Sequence, residues 1–355
     1  MQLQNKQNNF GFLRLLFAVL VIFSHAPEGL DGSRKNELMI NFFGTMSMGD
    51  LAVDCFFMIS GFLILMSYQN SSSFKSYIKK RVLRIYPGFI VAFLFCVLCV
   101  VPLAKSTEML LSFDSWFWFK STVKMMLLDA PWIADVFNTP IHFINLPMWT
   151  IRYEFLCYLT LPIINYFFKY KLQAYIFLFL MLICLGLLHS LFDISVISPK
   201  PFDFESGSLL RLFSSYIAGN IFYLAKDKIN FNKTYTLICL VMLILILFDK
   251  QFARIGLITF GAYLLFNFAL NYKNKYLSKV GTKTDLSYGI YLYAWPVQNL
   301  IIQNHPVINP YVLSFCILVI TVIIAYISWR FVEKPFIDMK YKTFGFSTLF
   351  AKNKP

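Results

Sequence analysis

The chain has 355 residues, of which 58% are hydrophobic, 19% aromatic and only 14% charged, and its mean hydropathy is +0.62. A soluble domain carries roughly 25% charged residues, so one water-soluble core could not bury this much apolar surface. Disorder is excluded for the same reason, because disordered segments have low hydrophobicity. The composition therefore predicts a polytopic integral membrane protein of the all-α class.

Ten apolar runs are long enough to cross a bilayer, which takes about 17–25 residues each. In chain order they are 11–26, 48–68, 88–104, 149–168, 173–191, 209–225, 234–248, 254–270, 286–303 and 310–331. The shorter runs, 88–104 and 234–248, require tilting or local thinning of the bilayer. We expect one transmembrane domain over residues 10–337, then a short basic cytoplasmic tail over 338–355, with no fused second domain.

The basic residues between these runs are unevenly distributed. With a cytoplasmic N-terminus, the inner loops and tails hold 20 Lys and Arg, and the outer loops hold seven. The first inner loop then carries Lys75, Lys79, Lys80, Arg81 and Arg84. This asymmetry follows the positive-inside rule, so both termini are predicted to be cytoplasmic. The net charge of +14 then reflects topology and contact with membrane lipids, and no nucleic-acid partner is expected.

The longest outer loop, about 105–147, contains Trp116, Trp118 and Trp132 among mixed charges. Such residues are typical of a segment that lies on the outer leaflet. We do not expect the first run to be a cleaved signal peptide, because Arg14 interrupts it and Pro27 directly follows it. No metal site is expected, since the one C-x-x-C pair lies in an apolar helix without a His or acidic neighbour.

Four ionisable residues fall at membrane depth, where they are costly and are functional candidates. They are Arg14 and His25 in the first run, Asp54 in the second and Glu154 in the fourth. At about 100° per residue, eleven residues make almost three full turns, so Arg14 and His25 share one helix face about 16 Å apart. In the predicted topology Arg14 lies toward the cytoplasm, and the other three lie toward the outside.

This polarity suits a long anionic donor that enters from the cytoplasm. Arg81 and Arg84 lie at the inner ends as well, and phosphates favour arginine. His25 has the basicity needed to activate a hydroxyl acceptor at the other side. Simpler interpretations remain: a position of His25 at the outer membrane–water interface, contact of Arg14 with the inner lipid headgroups, and pairing of Asp54 or Glu154 with an arginine. Arg152 lies about 200° around the helix from Glu154 and is not an obvious partner.

Six short motifs resemble the acyltransferase-3 family of integral membrane acyltransferases. Arg14 and His25 match its R-x10-H pattern, and residues 53–62 match V-D-x-F-F-x-x-S-G-F. The remaining matches are Arg81 to Pro87, Trp149 to Phe155, Ser287 to Leu292, and Phe331 to Pro335. One departure is Ala294, which stands where the family often has a second histidine. The resemblance covers residues 10–337 and implies the single-domain, membrane-only form.

The resemblance implies transfer of an acyl group, most often acetyl from acetyl-CoA, to a hydroxyl of a surface polysaccharide or lipid-linked sugar. The location implied is the cell inner membrane. His25 would be the general base or a nucleophile that carries the acyl group, with Asp54 or Glu154 setting its tautomer. Acyl-CoA would be bound as a co-substrate, with no permanent cofactor. The donor site would comprise Arg14, Arg81, Arg84, Ser60 and Gly61.

Several of these assignments have alternatives. Ser60 and Gly61 permit close helix approach, which serves a cofactor tunnel or ordinary helix packing. Trp149, Tyr288 and Tyr291 are tunnel candidates, although aromatic residues also fill helix interfaces. At the level of function, a secondary transporter or lipid flippase would also place polar residues inside the membrane. Transporters generally show broken helices in paired repeats, and no such repeat is present in the sequence.

Overall fold

The computed structural model describes residues 8–131, 133, 136–141, 143–192 and 204–339. Within these ranges the chain is helical and contains no β-strand. The helices are α1 (Phe10–Asp31), α2 (Leu38–Phe43), α3 (Met48–Gln69), α4 (Phe74–Leu103), α5 (Thr107–Ser112), α6 (Ser115–Met126), α7 (Trp149–Phe168), α8 (Leu172–Phe192), α9 (Ser206–Leu224), α10 (Lys233–Ile246), α11 (Ala253–Leu270), α12 (Ser287–Asn304) and α13 (Pro310–Asp338). Trp132 and almost all of the predicted tail, 340–355, lie outside the described residues.

Each of the ten apolar runs coincides with a helix. Six of these helices, α1, α3, α4, α8, α11 and α13, are long and apolar enough to cross a membrane. Helices α7, α9 and α12 have 20, 19 and 18 residues but are less apolar, and α10 has 14. The protein is therefore an all-helical membrane protein, while ten spans and cytoplasmic termini stay predictions.

Three helix boundaries differ from the sequence prediction by five residues or more. One is the end of α13, which was predicted at 331 and lies at Asp338. Helix α1 continues through Pro27 to Asp31 and ends at Gly32, whose φ of 69° is the left-handed conformation that favours glycine. Proline removes one backbone donor, but here Ala26, Pro27, Glu28 and Gly29 are all buried against the bundle, and this packing holds the last turn in place.

Helix α4 begins at Phe74, fourteen residues before the predicted start of its apolar run at 88. Ser73 caps it by accepting from the backbone N–H of Ser76 at 3.2 Å. The Lys and Arg residues that follow are good helix formers. Arg81 and Arg84 therefore lie on a helix and not in a loop, which fixes the direction in which their side chains point.

The tightest helix contact in the bundle joins α3 to α9. A Cβ added to Gly61 would lie 2.0 Å from the carbonyl oxygen of Tyr216, and one added to Gly219 would lie 2.0 Å from that of Met58. The two backbones can approach so closely only because both positions are glycine. Helices α8 and α10 lie at the outside: Tyr175 is the buried residue of α8, and α10 has none.

Candidate active site

A cavity of about 160 Å³ lies between α1, α3, α4, α7 and the start of α12. Its α3 wall extends from Val53 to Ile64, so the cavity follows that helix for about 16 Å. The predicted site residues that line it are Arg14, Ser60, Arg81, Arg84, Glu154, Tyr288 and Tyr291. The predicted site residues that do not line it are His25, Asp54, Gly61 and Trp149.

Two arginines at one end of the cavity are held by Asp285, a residue that the sequence analysis did not select. Asp285 Oδ2 lies 3.1 Å from Arg14 Nη2 and 2.7 Å from Arg84 Nη2, and Ser287 Oγ donates to Oδ1 at 2.6 Å. Burial alone would raise the pKa of Asp285, but the two guanidinium groups and Ser287 outweigh it and hold that pKa below its usual value. At neutral pH Asp285 is therefore ionised and positions both arginines.

Arg81 completes the arginine cluster from the next turn of α4. Its Nη2 donates to Ser67 Oγ at 3.2 Å, and its guanidinium carbon lies 5.7 Å from the ring centre of Tyr158. The Nε–H groups of Arg14 and Arg81 are buried and have no hydrogen-bond partner among the described residues. A buried unsatisfied donor costs about 1–3 kcal/mol, so this end of the cavity favours a ligand rich in anionic or carbonyl oxygens.

Glu154 lies on the cavity wall between the arginine cluster and the opposite end. Its Oε1 accepts a short hydrogen bond from the hydroxyl of Tyr158, and Ser60 Oγ lies 3.2 Å from both groups. Nearby, Tyr291 donates to the carbonyl of Pro147 at 2.6 Å. The structure thus pairs Glu154 with Tyr158 and Ser60. It does not place Glu154 against His25, so the predicted contact by which Glu154 would set the tautomer of His25 is not present.

The carboxylate that contacts His25 is Glu28, three residues further along α1. His25 Nδ1 lies 2.6 Å from Glu28 Oε2, and Arg34 Nε donates to the other oxygen of Glu28 at 2.9 Å. The His25 ring meets the ring of Trp295 edge-on, with centroids 5.0 Å apart. Both side chains of the pair are largely buried, His25 with 12% and Glu28 with 11% exposed. The imidazole is therefore fixed on one side, which leaves Nε2 for chemistry.

His25 lies beyond the end of the cavity that is opposite the arginines. Ser24 packs against Gly49 of α3, where an added Cβ would lie 2.9 Å from Ser24 Oγ. His25 is thus level with Gly49, one helical turn or about 6 Å from Val53, where the cavity wall ends. The arginine cluster thus lies at one end of the cavity, and the His25–Glu28 pair lies beyond the other end, one helical turn further along α3.

Asp54 belongs to a buried ion-pair network and not to the cavity. Arg211 of α9 donates from Nε to both carboxylate oxygens of Asp54, at 2.9 and 3.1 Å, and from Nη1 to Asp50 at 2.9 Å. Ser215 Oγ adds a bond of 3.2 Å to Asp54. The predicted contact between Asp54 and His25 is therefore not present. Asp54 instead joins α3 to α9 through its ion pair with Arg211. Pairing with an arginine was the alternative interpretation of Asp54 in the sequence analysis.

Two other predicted residues serve packing. Gly61 faces α9 at the close helix contact, so the structure assigns it to helix packing and not to donor binding. Trp149 packs edge-on against Tyr153, with ring centroids 5.3 Å apart, and does not reach the cavity. Tyr288 and Tyr291 do line the cavity, and Tyr288 donates to the carbonyl of Ile85 at 2.9 Å. Ala294 is buried, next to the Trp295 that contacts His25.

The residues that the sequence analysis missed are partners of the ones it selected. Glu28 and Tyr158 carry a local signal, because they follow His25 and Glu154 by three and four residues on the same helix face. The Glu28 signal was lost because the helix was expected to end before Pro27. Arg211 and Asp285 carry no local signal, since they lie 157 and 201 positions from the residues they bind.

Comparison with known proteins identifies the family. The profile of a family described as an acyltransferase domain, acyltransferase-3, matches residues 8–330, which is nearly the whole chain. The chain belongs to the acyltransferase-3 family. It is therefore an enzyme, an acyltransferase, and the arginine-lined cavity with its distal histidine lies within the family domain.

Three relatives of this acyltransferase have names that describe an activity or a process. An O-acetyl transferase of Shigella phage Sf6 is 27% identical over 353 residues, covering 94% of this chain and 97% of the relative. Acyltransferase MdmB of Streptomyces mycarofaciens is 32% identical over 33% of this chain and 28% of its own length. Nodulation protein 10 of Rhizobium leguminosarum bv. viciae is 32% identical over 44% of each chain. No solved structure matches this acyltransferase significantly.

Proposed function

We propose that this acyltransferase moves an acetyl group from acetyl-CoA to a hydroxyl of a surface polysaccharide or lipid-linked sugar in the cell inner membrane. O-antigen, capsule and exopolysaccharide are the acceptor classes we favour. The observation that supports this proposal most strongly is one cavity with three arginines at one end and the His25–Glu28 pair beyond the other end. The phage relative, which aligns over 97% of its length, is named an O-acetyl transferase, and this name supports acetyl as the group transferred.

The arginine cluster suits the phosphate end of the donor. Arg14, Arg81 and Arg84 supply planar, permanently charged donors, which are the groups that recognise phosphates best. The cavity of about 160 Å³ is smaller than the roughly 300–1,000 Å³ of a drug-sized ligand site, so it would take the narrow acyl-pantetheine arm while the nucleotide stays at the mouth. Ser60, Glu154 and Tyr158 would then face the amides of that arm.

His25 would act on the acyl group as it emerges at the far end. Its Nδ1–H donates to Glu28, so the Nε2 lone pair can take the proton of the acceptor hydroxyl. The hydroxyl oxygen then attacks the thioester carbonyl carbon, the carbon–sulfur bond breaks, and the departing CoA sulfur receives the proton from His25. In the alternative route, Nε2 itself attacks the carbonyl carbon, the carbon–sulfur bond breaks and CoA departs as the thiolate. The acceptor oxygen then attacks the carbonyl carbon of the acyl-imidazole, the carbon–nitrogen bond breaks, and the hydroxyl proton passes to the CoA thiolate. Both routes need the tautomer that Glu28 selects.

Mass spectrometry of surface glycans tests the proposed function directly. Cells that lack the protein should lose acetate esters from one glycan class, and expression of the intact chain should restore them. A chain with His305→Gln, at an exposed histidine that ends α12, should restore them equally well. An unchanged acetylation pattern in every surface glycan and lipid-linked sugar would remove the polysaccharide acceptor from the proposal.

The orientation of the chain can be tested by cysteine labelling. With the seven native cysteines replaced by alanine, we expect Glu108→Cys, in the loop 105–147, to react with an impermeant maleimide in intact cells. Lys228→Cys, between α9 and α10, should react only after permeabilisation. The physical reason is the positive-inside asymmetry of the loops. The reverse pattern would place the arginine cluster outside and contradict donor entry from the cytoplasm.

A further inference from the structure

The pair of His25 and Glu28 is one end of a longer chain of charged side chains. Arg34, in the segment between α1 and α2, donates from Nε to Glu28 Oε1 at 2.9 Å and from Nη1 to Asp50 Oδ2 at 3.4 Å. Arg211 of α9 donates from Nη1 to the other oxygen of Asp50 at 2.9 Å. The charges alternate along this chain, so every hydrogen bond in it joins a guanidinium group to a carboxylate.

Asp50 is the fixed point of the chain. It lies in the first turn of α3, where its Oδ2 accepts from the backbone N–H of Ser47 at 3.3 Å and Ser47 Oγ accepts from the N–H of Asp50 at 3.0 Å. This reciprocal capping box ties the carboxylate to the start of the helix. Arg211 also donates from Nη2 to the backbone carbonyl of Asp50 at 2.8 Å. Arg34 therefore binds a carboxylate whose position is set by α3 and α9.

The backbone that carries Arg34 is held without its side chain. The N–H of Glu37 donates to the carbonyl of Arg34 at 3.1 Å. The buried carboxylate of Glu37 accepts from the N–H groups of Ile40 and Met48, both at 2.9 Å, which ties the segment to the starts of α2 and α3. The Arg34 side chain is 37% exposed, and partly exposed ion pairs contribute little to stability. We therefore expect its loss to leave the fold intact.

The bond from Arg34 determines how the Glu28 carboxylate faces the imidazole. A carboxylate accepts hydrogen bonds at two equivalent oxygens and can rotate about its bond to the side chain. With Arg34 on Oε1, the oxygen that faces His25 Nδ1 is Oε2, at 2.6 Å. Without Arg34 the carboxylate can turn away from the ring. The ring proton would then no longer be held at Nδ1, because the hydrogen bond of one ring nitrogen sets the tautomer.

We propose that Arg34 is a positioning residue for His25, that it acts through Glu28, and that Asp50 holds it in place. The inference rests on the proposed function, in which His25 Nε2 takes the proton of the acceptor hydroxyl. Nε2 of the neutral ring has a lone pair only when the ring proton is on Nδ1, which is the tautomer that Glu28 selects. A carboxylate held in place beforehand also stabilises the positive charge that the ring acquires during the reaction.

The rate of acetyl transfer tests the proposal in membrane vesicles that carry the full-length protein. The probe is radiolabelled acetyl-CoA, and the label incorporated into the glycans of the vesicles is measured beside acetyl-CoA binding. Arg34→Gln should lower the rate about 10- to 100-fold with little change in binding, as loss of the group that orients a metal-bound histidine does. Lys35→Gln removes the same charge from the adjacent, exposed residue and should retain the full rate.

A double-mutant cycle separates a positioning role from a structural one. If Arg34 acts through Glu28, the variant with both Arg34→Gln and Glu28→Gln should match Glu28→Gln alone within about twofold. Reductions that multiply, or an unaffected Arg34→Gln, would overturn the proposal. If Arg34→Gln does not fold, Arg34→Lys replaces it in the cycle. Its single amine lacks the fork that binds Glu28 and Asp50 together, so the rate should still fall, by a smaller factor.

The tautomer of His25 gives a readout that does not depend on transfer. The other three histidines, His142, His189 and His305, are replaced by glutamine, and the protein is labelled with ¹⁵N-histidine for solid-state NMR. The neutral ring should carry its proton on Nδ1, and Arg34→Gln should move part of it to Nε2. If the tautomer responds but no form of the protein acetylates any sugar, the contact is right and the proposed function is wrong. If glycans are acetylated and neither tautomer nor rate responds to Arg34→Gln, the inference alone fails.

Discussion

Replacing His25 with Gln should reduce acetyl transfer by about 10²–10⁴-fold, and by more if the histidine carries the acyl group, while acetyl-CoA still binds. The glutamine keeps a hydrogen-bonding side chain next to Glu28 but has no basic nitrogen to accept the hydroxyl proton. The measurement is product formation by purified protein beside acetyl-CoA binding. His305→Gln, at an exposed position, is the matched control and should retain full activity. Near-normal transfer by His25→Gln would withdraw the histidine from the mechanism.

Substitution of Glu28, the partner of His25, tests the same mechanism in a second way. Glu28→Gln removes the charge that holds the Nδ1–H tautomer, so we expect a fall in the transfer rate with little change in acetyl-CoA binding. Asp54→Asn should behave differently. It disturbs the pair with Arg211 and should lower thermal stability more than it lowers the rate of the folded fraction. If Asp54→Asn instead lowered the transfer rate of a stably folded protein, as Glu28→Gln does, we would assign Asp54 a role in catalysis.

Arg14→Lys should weaken acetyl-CoA binding by about 10- to 100-fold while leaving the rate at saturating donor much less affected. Lysine keeps the charge but loses the planar guanidinium group. The Nη2 of that group contacts Asp285, and its Nε–H has no partner among the described residues and could bind the donor. A charged hydrogen bond contributes about 1.5–3 kcal/mol, and each 1.4 kcal/mol corresponds to tenfold in affinity. Titration calorimetry with acetyl-CoA and the purified protein measures the effect.

Arg330→Lys is the matched control for this substitution. Arg330 lies in α13 at the same end of the bundle, three residues before the buried Glu333, but its side chain is exposed, so its loss should leave donor affinity unchanged. The decisive comparison is between Arg14 and His25, which lie at opposite ends of the candidate site. Should His25→Gln lose acetyl-CoA binding while Arg14→Lys binds normally, the phosphates do not lie at the arginine cluster.

The sequence by itself determined the helices, because the length of an apolar run and its composition are local properties. Ten runs predicted ten helices, and each one is present. The placement of Arg14 and His25 on one face, about 16 Å apart, also follows from helix geometry alone. The start of α4 and the ends of α1 and α13 were misplaced, because Pro27, the basic stretch before residue 88 and the charged stretch after residue 331 are ambiguous without knowledge of what packs against them.

Only the tertiary structure decided which charges meet. Asp54 binds Arg211 and Arg84 binds Asp285 across 157 and 201 positions, and no spacing rule connects them. The assignment of Gly61 to packing likewise required knowing that Gly219 faces it on α9. A buried charge must find an opposite charge or a hydrogen bond, but several helices can offer one. The choice among them is made by which helices pack together, a property of the whole chain and not of any one segment.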